Sequence, residues 1–278
     1  MNKTGRIIKQ ISNDYSVLVE GEVLVCKARG KFRNMDVSPL VGDMVIIDYD
    51  NCYIMEIEKR KNELVRPRIS NVDVAVIITS VQIPEFSTNL LDKLIVIIEY
   101  NNITPIICIT KADLIDDIKM KDINKHIEYY KSIGYEVYLN TDENLSEIFK
   151  DRITVFAGQS GAGKSTLLNS LDSSLNIKTN EVSVALGRGK HTTRFTELIA
   201  TCGGLIADTP GFSAITFDGM SNADIRDNFI EFNEYRDLCQ YKSCMHDEEP
   251  NCEIKRMVGN GIILRSRYDN YLKFIGKR

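Results

Sequence analysis

The 278-residue sequence predicts a multidomain protein of the α/β class, and three observations carry that reading. Residues 1–65 consist of short segments rich in β-branched residues, broken by Gly, Asn and Asp. From Val72 onward, apolar runs of strand length alternate with stretches of helical length, the pattern of a parallel sheet with crossover helices. Beyond Phe217 the chain turns polar, carries grouped cysteines and reads as partly helical. The expected domains are therefore residues 1–65, 66–216 and 217–278.

Within the first, GRIIKQISNDYSVLVEG, EVLVCKARGKF and DMVIIDYD alternate in part between apolar and polar positions. Such segments suit a small barrel, and an OB-like barrel is the commonest small candidate. In the second, VDVAVIITS is an unbroken apolar run, as expected of a strand covered on both faces. A helix over Thr88–Tyr100, the strand TPIICIT, a charged helix near Asp117–Ile133 and the strand YEVYLN follow. A short helix near Leu145–Phe149 leads to the strand ITVFAG and the helix STLLNSL, and ELIAT and GLIADT read as two further strands.

A hydrophobic content of 43% is enough for ordinary buried cores, and a formal net charge of −4 gives no molecule-wide electrostatic case for nucleic acid. No run is long and apolar enough for a membrane helix, and MNKTGRIIKQ lacks the apolar centre of a signal peptide, so a soluble cytoplasmic protein is expected, with no membrane partner. Cys26, Cys52, Cys108 and Cys202 are scattered through strand-like segments and read as buried thiols.

GQSGAGKS, from Gly158 to Ser165, fits the phosphate-loop spacing G-x-x-x-x-G-K-[ST] between an apolar strand and an amphipathic helix. Its candidate nucleotide contacts are Gly158, Gln159, Ser160, Gly161, Ala162, Gly163, Lys164, Ser165 and Thr166. Glycines let backbone N–H groups turn toward phosphate oxygens, Lys164 reaches the β- and γ-phosphates, and the Ser165 hydroxyl suits Mg²⁺. DTPG, Asp208 to Gly211, follows GLIADT. It offers a carboxylate for the Mg²⁺ water shell and the Gly211 N–H for a γ-phosphate.

The base needs a separate reader. Thr110-Lys111-Ala112-Asp113 follows the strand TPIICIT and fits the guanine motif [NT]-K-x-D, whose Asp accepts from guanine N1–H and N2–H₂. GTP and GDP are therefore the expected ligands. The reader precedes the phosphate loop, which a parallel sheet permits because strand adjacency, not chain order, builds the pocket. Thr110 in place of the commoner Asn is expected to lose an amide that braces the loop.

In CQYKSCMHDEEPNC, Cys239, Cys244, His246 and Cys252 form a set of three thiols and one imidazole that suits one tetrahedral structural Zn²⁺ with no open position. The acidic residues of MHDEEP read as a solvated loop beside it. Two basic stretches are candidate RNA surfaces. One holds Lys27, Arg29, Lys31 and Arg33 around Phe32, and the other holds Arg265, Arg267, Lys273, Lys277 and Arg278.

The order TKAD, GQSGAGKST, GRGKHTT, DTPGF resembles the circularly permuted GTPases of the RsgA/YjeQ family, over essentially the whole chain. The resemblance implies a central circularly permuted P-loop GTPase domain with a mostly parallel sheet, flanked by an N-terminal OB-like RNA-binding barrel and a C-terminal zinc-binding helical domain. It further implies ribosome-stimulated GTP hydrolysis during late small-subunit maturation, with the small ribosomal subunit and its rRNA as partners and a monomer off the ribosome. Phe212 stands after the DTPG glycine, where many GTPases place a water-orienting Gln. The polar segment GRGKHTTR then supplies His191 as the candidate for water activation and Thr193, in preference to Thr192, as a Mg²⁺ ligand. Lys164 completes this candidate catalytic set. Because the chain leaves DTPG directly for the C-terminal domain, a change at that loop is expected to move this domain. Two other function classes fit parts of the pattern. They are a nucleotide-gated RNA-binding adaptor with negligible hydrolysis and an ATP-using kinase, and TKAD argues against the kinase.

Overall fold

A computed structural model describes residues 1–30, 32, 37–65, 67–172, 196–208 and 216–277. The first five strands are β1 (Asn2–Ile11), β2 (Asp14–Val19), β3 (Glu22–Ala28), β4 (Met44–Asp48) and β5 (Tyr53–Ile57). They pair in the order β1-β2-β3-β5-β4, and β4 returns to β1, closing the expected barrel. Alternation drives the closure: Ile7, Val17, Cys26, Val45, Ile47 and Ile54 point inward and are fully buried. β5 has no counterpart among the segments expected from sequence; Ile54 is its one buried side chain. Phe32 is also in this core, 6% exposed, so it is not the exposed stacking ring expected of it.

The barrel is tied to the next segment by a buried carboxylate. Asp43 is fully buried and accepts from Arg60 at 2.8 Å through both oxygens, from the Ser70 hydroxyl at 2.5 Å and from the Leu40 N–H at 2.8 Å. Ser70 lies in β7 (Ile69–Ser70), which pairs with β6 (Glu63–Leu64).

The second body alternates strand and helix: β8 (Val74–Ser80), α1 (Thr88–Tyr100), β9 (Thr104–Thr110), α2 (Asp117–Ser132), β10 (Glu136–Leu139), β11 (Ile153–Gly158), α3 (Lys164–Leu171), β12 (Glu197–Thr201) and β13 (Gly204–Asp208). Side-chain caps start two of the helices, Ser87 for α1 and Asp116 for α2. The expected helix at Leu145–Phe149 is a 3₁₀ segment, Glu143–Phe149. Strand order is β10-β9-β8-β11-β13-β12, with the first five parallel and β12 antiparallel at the end. β12 then pairs with β1, so barrel and parallel sheet form one continuous eleven-stranded sheet.

The third body holds α4 (Asn222–Asp227), α5 (Glu253–Gly259) and α6 (Arg265–Phe274) around Phe229, Phe232, Ile254 and Tyr271. Ser221 and Asp224 form a capping box at the start of α4. Val96 of α1 joins this core, so the third body is packed onto the second. Arg267 overturns part of the expected basic surface. It is 1% exposed and donates to Asp92 of α1 at 2.8 Å and to Glu231 at 2.8 and 3.1 Å. Although burial works against its charge, those two carboxylates hold the guanidinium protonated well above its ordinary range. Among the described residues no helix is long and apolar enough to cross a membrane.

Candidate functional site

Parallel strands bring their C-terminal ends to one edge, and there the sheet gathers the nucleotide motifs. Thr110 closes β9, the phosphate loop leaves β11, and Asp208 closes β13. β8 alone separates β9 from β11, and β13 adjoins β11. Residues 110–113 and 158–165 thus leave the same edge of the sheet on either side of β8. Two segments distant in sequence therefore meet at one edge of the sheet.

The loop geometry shows why glycine is needed. Gly158 has φ +130°, and a Cβ there would sit 2.2 Å from the Ile78 carbonyl oxygen. Gly163 caps α3 with φ +105°. α3 then begins at Lys164 and Ser165, aiming its first N–H groups into the loop. Ser165 is 3% exposed, and its hydroxyl has no hydrogen-bond partner among the described residues. An orphaned buried hydroxyl at a helix start fits a Mg²⁺ ligand, since burial without a partner is otherwise costly. Gln159, Ser160, Gly161 and Thr166 are exposed on the rim, while Ala162 is buried beneath it.

The base-reading segment touches the loop directly. Thr110, 3% exposed, donates its hydroxyl to the Ala162 carbonyl at 2.5 Å. Lys111, in left-handed geometry with φ +61°, donates its ammonium to the Gly161 carbonyl at 2.8 Å. The brace expected to be lost without Asn is therefore present, supplied by a hydroxyl from a β-branched residue that suits the end of β9. Ala112 and Asp113 start a 3₁₀ turn, Ala112–Leu114, and Asp113 is exposed at its first turn. The side chain of Asp208 and all of His191, Thr192, Thr193, Gly211 and Phe212 lie outside the described residues.

The family model described as RsgA GTPase matches residues 57–218, and the one described as RsgA N-terminal domain matches residues 4–53. The chain belongs to the RsgA GTPase family. Proteins named small ribosomal subunit biogenesis GTPase RsgA from Enterococcus faecalis and Bacillus subtilis are each 47% identical to it. Each alignment spans 98% of this chain, with 94% of the first protein and 96% of the second. The crystal structure of YloQ, described as a circularly permuted GTPase, superposes with a TM-score of 0.85 at 41% identity, covering 99% of this chain and 94% of that one. YjeQ from Thermotoga maritima superposes at 0.87 and 32% identity over the full length of both chains. This RsgA-family chain is a GTP hydrolase.

A second cluster lies in the third body. The ligand atoms of Cys239, Cys244, His246 and Cys252 fall within 4.8 Å of one another. His246 Nδ1 is 3.6 Å from Cys239 Sγ and 3.4 Å from Cys252 Sγ. Burial pushes the Cys244 thiol up to about 12, and burial with the nearby Arg226 charge brings His246 down to about 4. A neutral imidazole among buried sulfurs is a donor set that a thiophilic cation completes. Glu249 is more than solvated decoration. It accepts from the backbone N–H groups of Met245 at 2.6 Å and Asp247 at 2.9 Å, holding the loop that carries His246. Tyr268 donates to the His246 carbonyl at 2.6 Å, a second support that the ligand spacing gave no sign of.

Of the basic residues read as RNA surface, Lys27 and Arg29 are exposed on the barrel. Arg265 and Lys277 are exposed too, paired with Asp269 at 3.3 Å and Asp247 at 3.0 Å. Lys31, Arg33 and Arg278 lie outside the described residues.

Proposed function

We propose that this chain is a Mg²⁺-dependent GTPase of the bacterial cytoplasm that binds the small ribosomal subunit through its rRNA and acts late in the subunit's maturation. The observation that carries the proposal is the pair of hydrogen bonds from Thr110 and Lys111 to the phosphate-loop carbonyls, in a chain matched end to end by small-subunit biogenesis GTPases. In this reading Asp113 accepts from the guanine edge, and Lys111 and Thr110 hold the loop beneath it. Backbone N–H groups of residues 158–165 and the Lys164 ammonium hold the phosphates. Ser165, Asp208 and Thr193 serve Mg²⁺, which when bound neutralises the phosphate oxygens, and Gly211 meets the γ-phosphate. His191 orients the attacking water in the absence of a Gln at position 212.

The exposed Lys27 and Arg29 on the barrel, with the third body, are the proposed rRNA surfaces. The proposed domains are residues 1–65, 66–216 and 217–278, and the chain is monomeric away from the ribosome. Cys239, Cys244, His246 and Cys252 hold one structural Zn²⁺. Elemental analysis of the purified chain will give one zinc per polypeptide, and Cys252→Ser will leave it substoichiometric. A fully folded, zinc-free native protein would remove the metal from the account.

GTP turnover of the chain alone and with purified small subunits tests the function. Stimulation by at least about tenfold is expected, because Phe212 stands where many GTPases place a water-orienting Gln, and docking would set His191 in its place. Turnover unchanged by saturating subunits would favour the nucleotide-gated adaptor instead.

A further inference from the structure

The continuity of the sheet places three residues of the barrel and the GTPase body in one row. Lys9 of β1 is the register partner of Glu197 in β12, and Glu197 is the register partner of Asp208 in β13. β1 reaches this row because it outruns its barrel neighbour. β4 pairs with residues 2–6 only, and the register of β1 against β2 shifts between Ile7 and Lys9. That irregularity turns the far end of β1 onto the edge of β12, which would otherwise be an open strand edge. The Lys9 ammonium then meets both carboxylate oxygens of Glu197 at 2.7 Å, with Lys9 only 19% exposed.

We infer that Lys9 and Glu197 are positioning residues that couple the barrel to the state of the nucleotide. Asp208 stands at the phosphate end of β13, and Glu197 is directly across from it at the first residue of β12. A shift of β13 or β12 as the γ-phosphate comes and goes changes where the Glu197 carboxylate sits, and Lys9 carries the shift into β1 and the barrel. Lys9 and Asp208 are separated by two strand spacings, about 10 Å, with Glu197 between them. With Glu197 40% exposed, the ion pair adds little to global stability, and its value lies in fixing an orientation. The inference rests on the proposed placement of Asp208 at Mg²⁺.

The test is a charge swap with two readouts. In the chain alone, amide hydrogen exchange at residues 9–11 will differ between the GDP form and the form with a non-hydrolysable GTP analogue. Glu197→Lys or Lys9→Glu will erase that difference, and the double variant Lys9→Glu/Glu197→Lys will restore it. With small subunits present, each single variant will lower stimulated turnover roughly three- to tenfold, from lost attraction plus like-charge repulsion across the strands. Intrinsic turnover will hold, and the double variant will recover to within about twofold. Equal exchange in the two nucleotide forms of the native chain, or failure of the swap to restore either readout, would overturn the inference. A native chain that shows the exchange difference but no stimulation would instead sink the ribosomal reading and leave the coupling standing.

Discussion

Asp113→Asn will weaken GDP binding by about 3–6 kcal/mol, a factor of about 10²–10⁴, and shift preference toward xanthosine nucleotides. The estimate follows from two hydrogen bonds to a charged acceptor, each worth about 1.5–3 kcal/mol. A carboxylate accepts from both N1–H and N2–H₂ of guanine, whereas the amide presents one N–H₂ group donor-to-donor. Xanthine carries an oxygen at that position and pairs with the amide. The substitution is close to isosteric at an exposed residue in the first turn of Ala112–Leu114, so the fold will tolerate it. Isothermal titration with GDP and XDP reads the result directly. Equal affinities for GDP before and after substitution would mean that the base is not read at this turn, and the guanine assignment would fall.

What sequence made visible here was whatever depends on local pattern. The strands β8, β9 and β11 are largely apolar runs buried on both faces, and α1 spans Thr88–Tyr100 as expected. The phosphate-loop motif, the T-K-A-D motif and the Cys239–Cys252 cluster each occupy a short segment whose spacing suggests its chemistry. The convergence of residues 110–113 with residues 158–165 was legible because two strand-end motifs in a parallel sheet have one edge on which to meet.

The features that escaped the sequence depend on partners far along the chain. Arg267 sits among basic residues and reads as surface, yet its acceptor Asp92 is 175 residues away. Asp43 and Arg60 look like ordinary charges of a polar barrel until the chain folds them together. Phe32, flanked by arginines and lysines, looks exposed for the same reason. Thr110 was misjudged in a different way. The brace it supplies needs one hydroxyl at the right distance, and residue type alone does not report distance. The joining of β1 to β12 had no signal at all, since pairing between strands this distant leaves no periodicity.

Arg267→Ala will destabilise the third body by about 3–5 kcal/mol, the cost of stranding buried carboxylates without their cation. Asp92 is fully buried and Glu231 is 3% exposed, so neither gains water to replace the guanidinium. Asn270, at 2.7 Å, and the Tyr130 hydroxyl still donate to Asp92, but neutral donors do not balance a buried charge. Arg267 also lies over the Phe229 ring at 4.5 Å, so truncation removes packing as well as charge. Lysine at this position will recover only part of the loss, because a point charge cannot make the forked contacts to two carboxylates at once.

The consequence reaches beyond stability. α6 is fastened to α1 through Arg267 and Asp92, and the N-terminal cap of α1, Ser87, lies near Gly158 and Gln159 around a small cavity. Any nucleotide-driven motion of the third body must therefore carry α1 with it or break a buried ion cluster. Urea unfolding followed by hydrogen exchange in α6 separates these. A midpoint shift worth less than about 1 kcal/mol in Arg267→Ala, with α6 protection intact, would mean that the cluster does not hold the two bodies together.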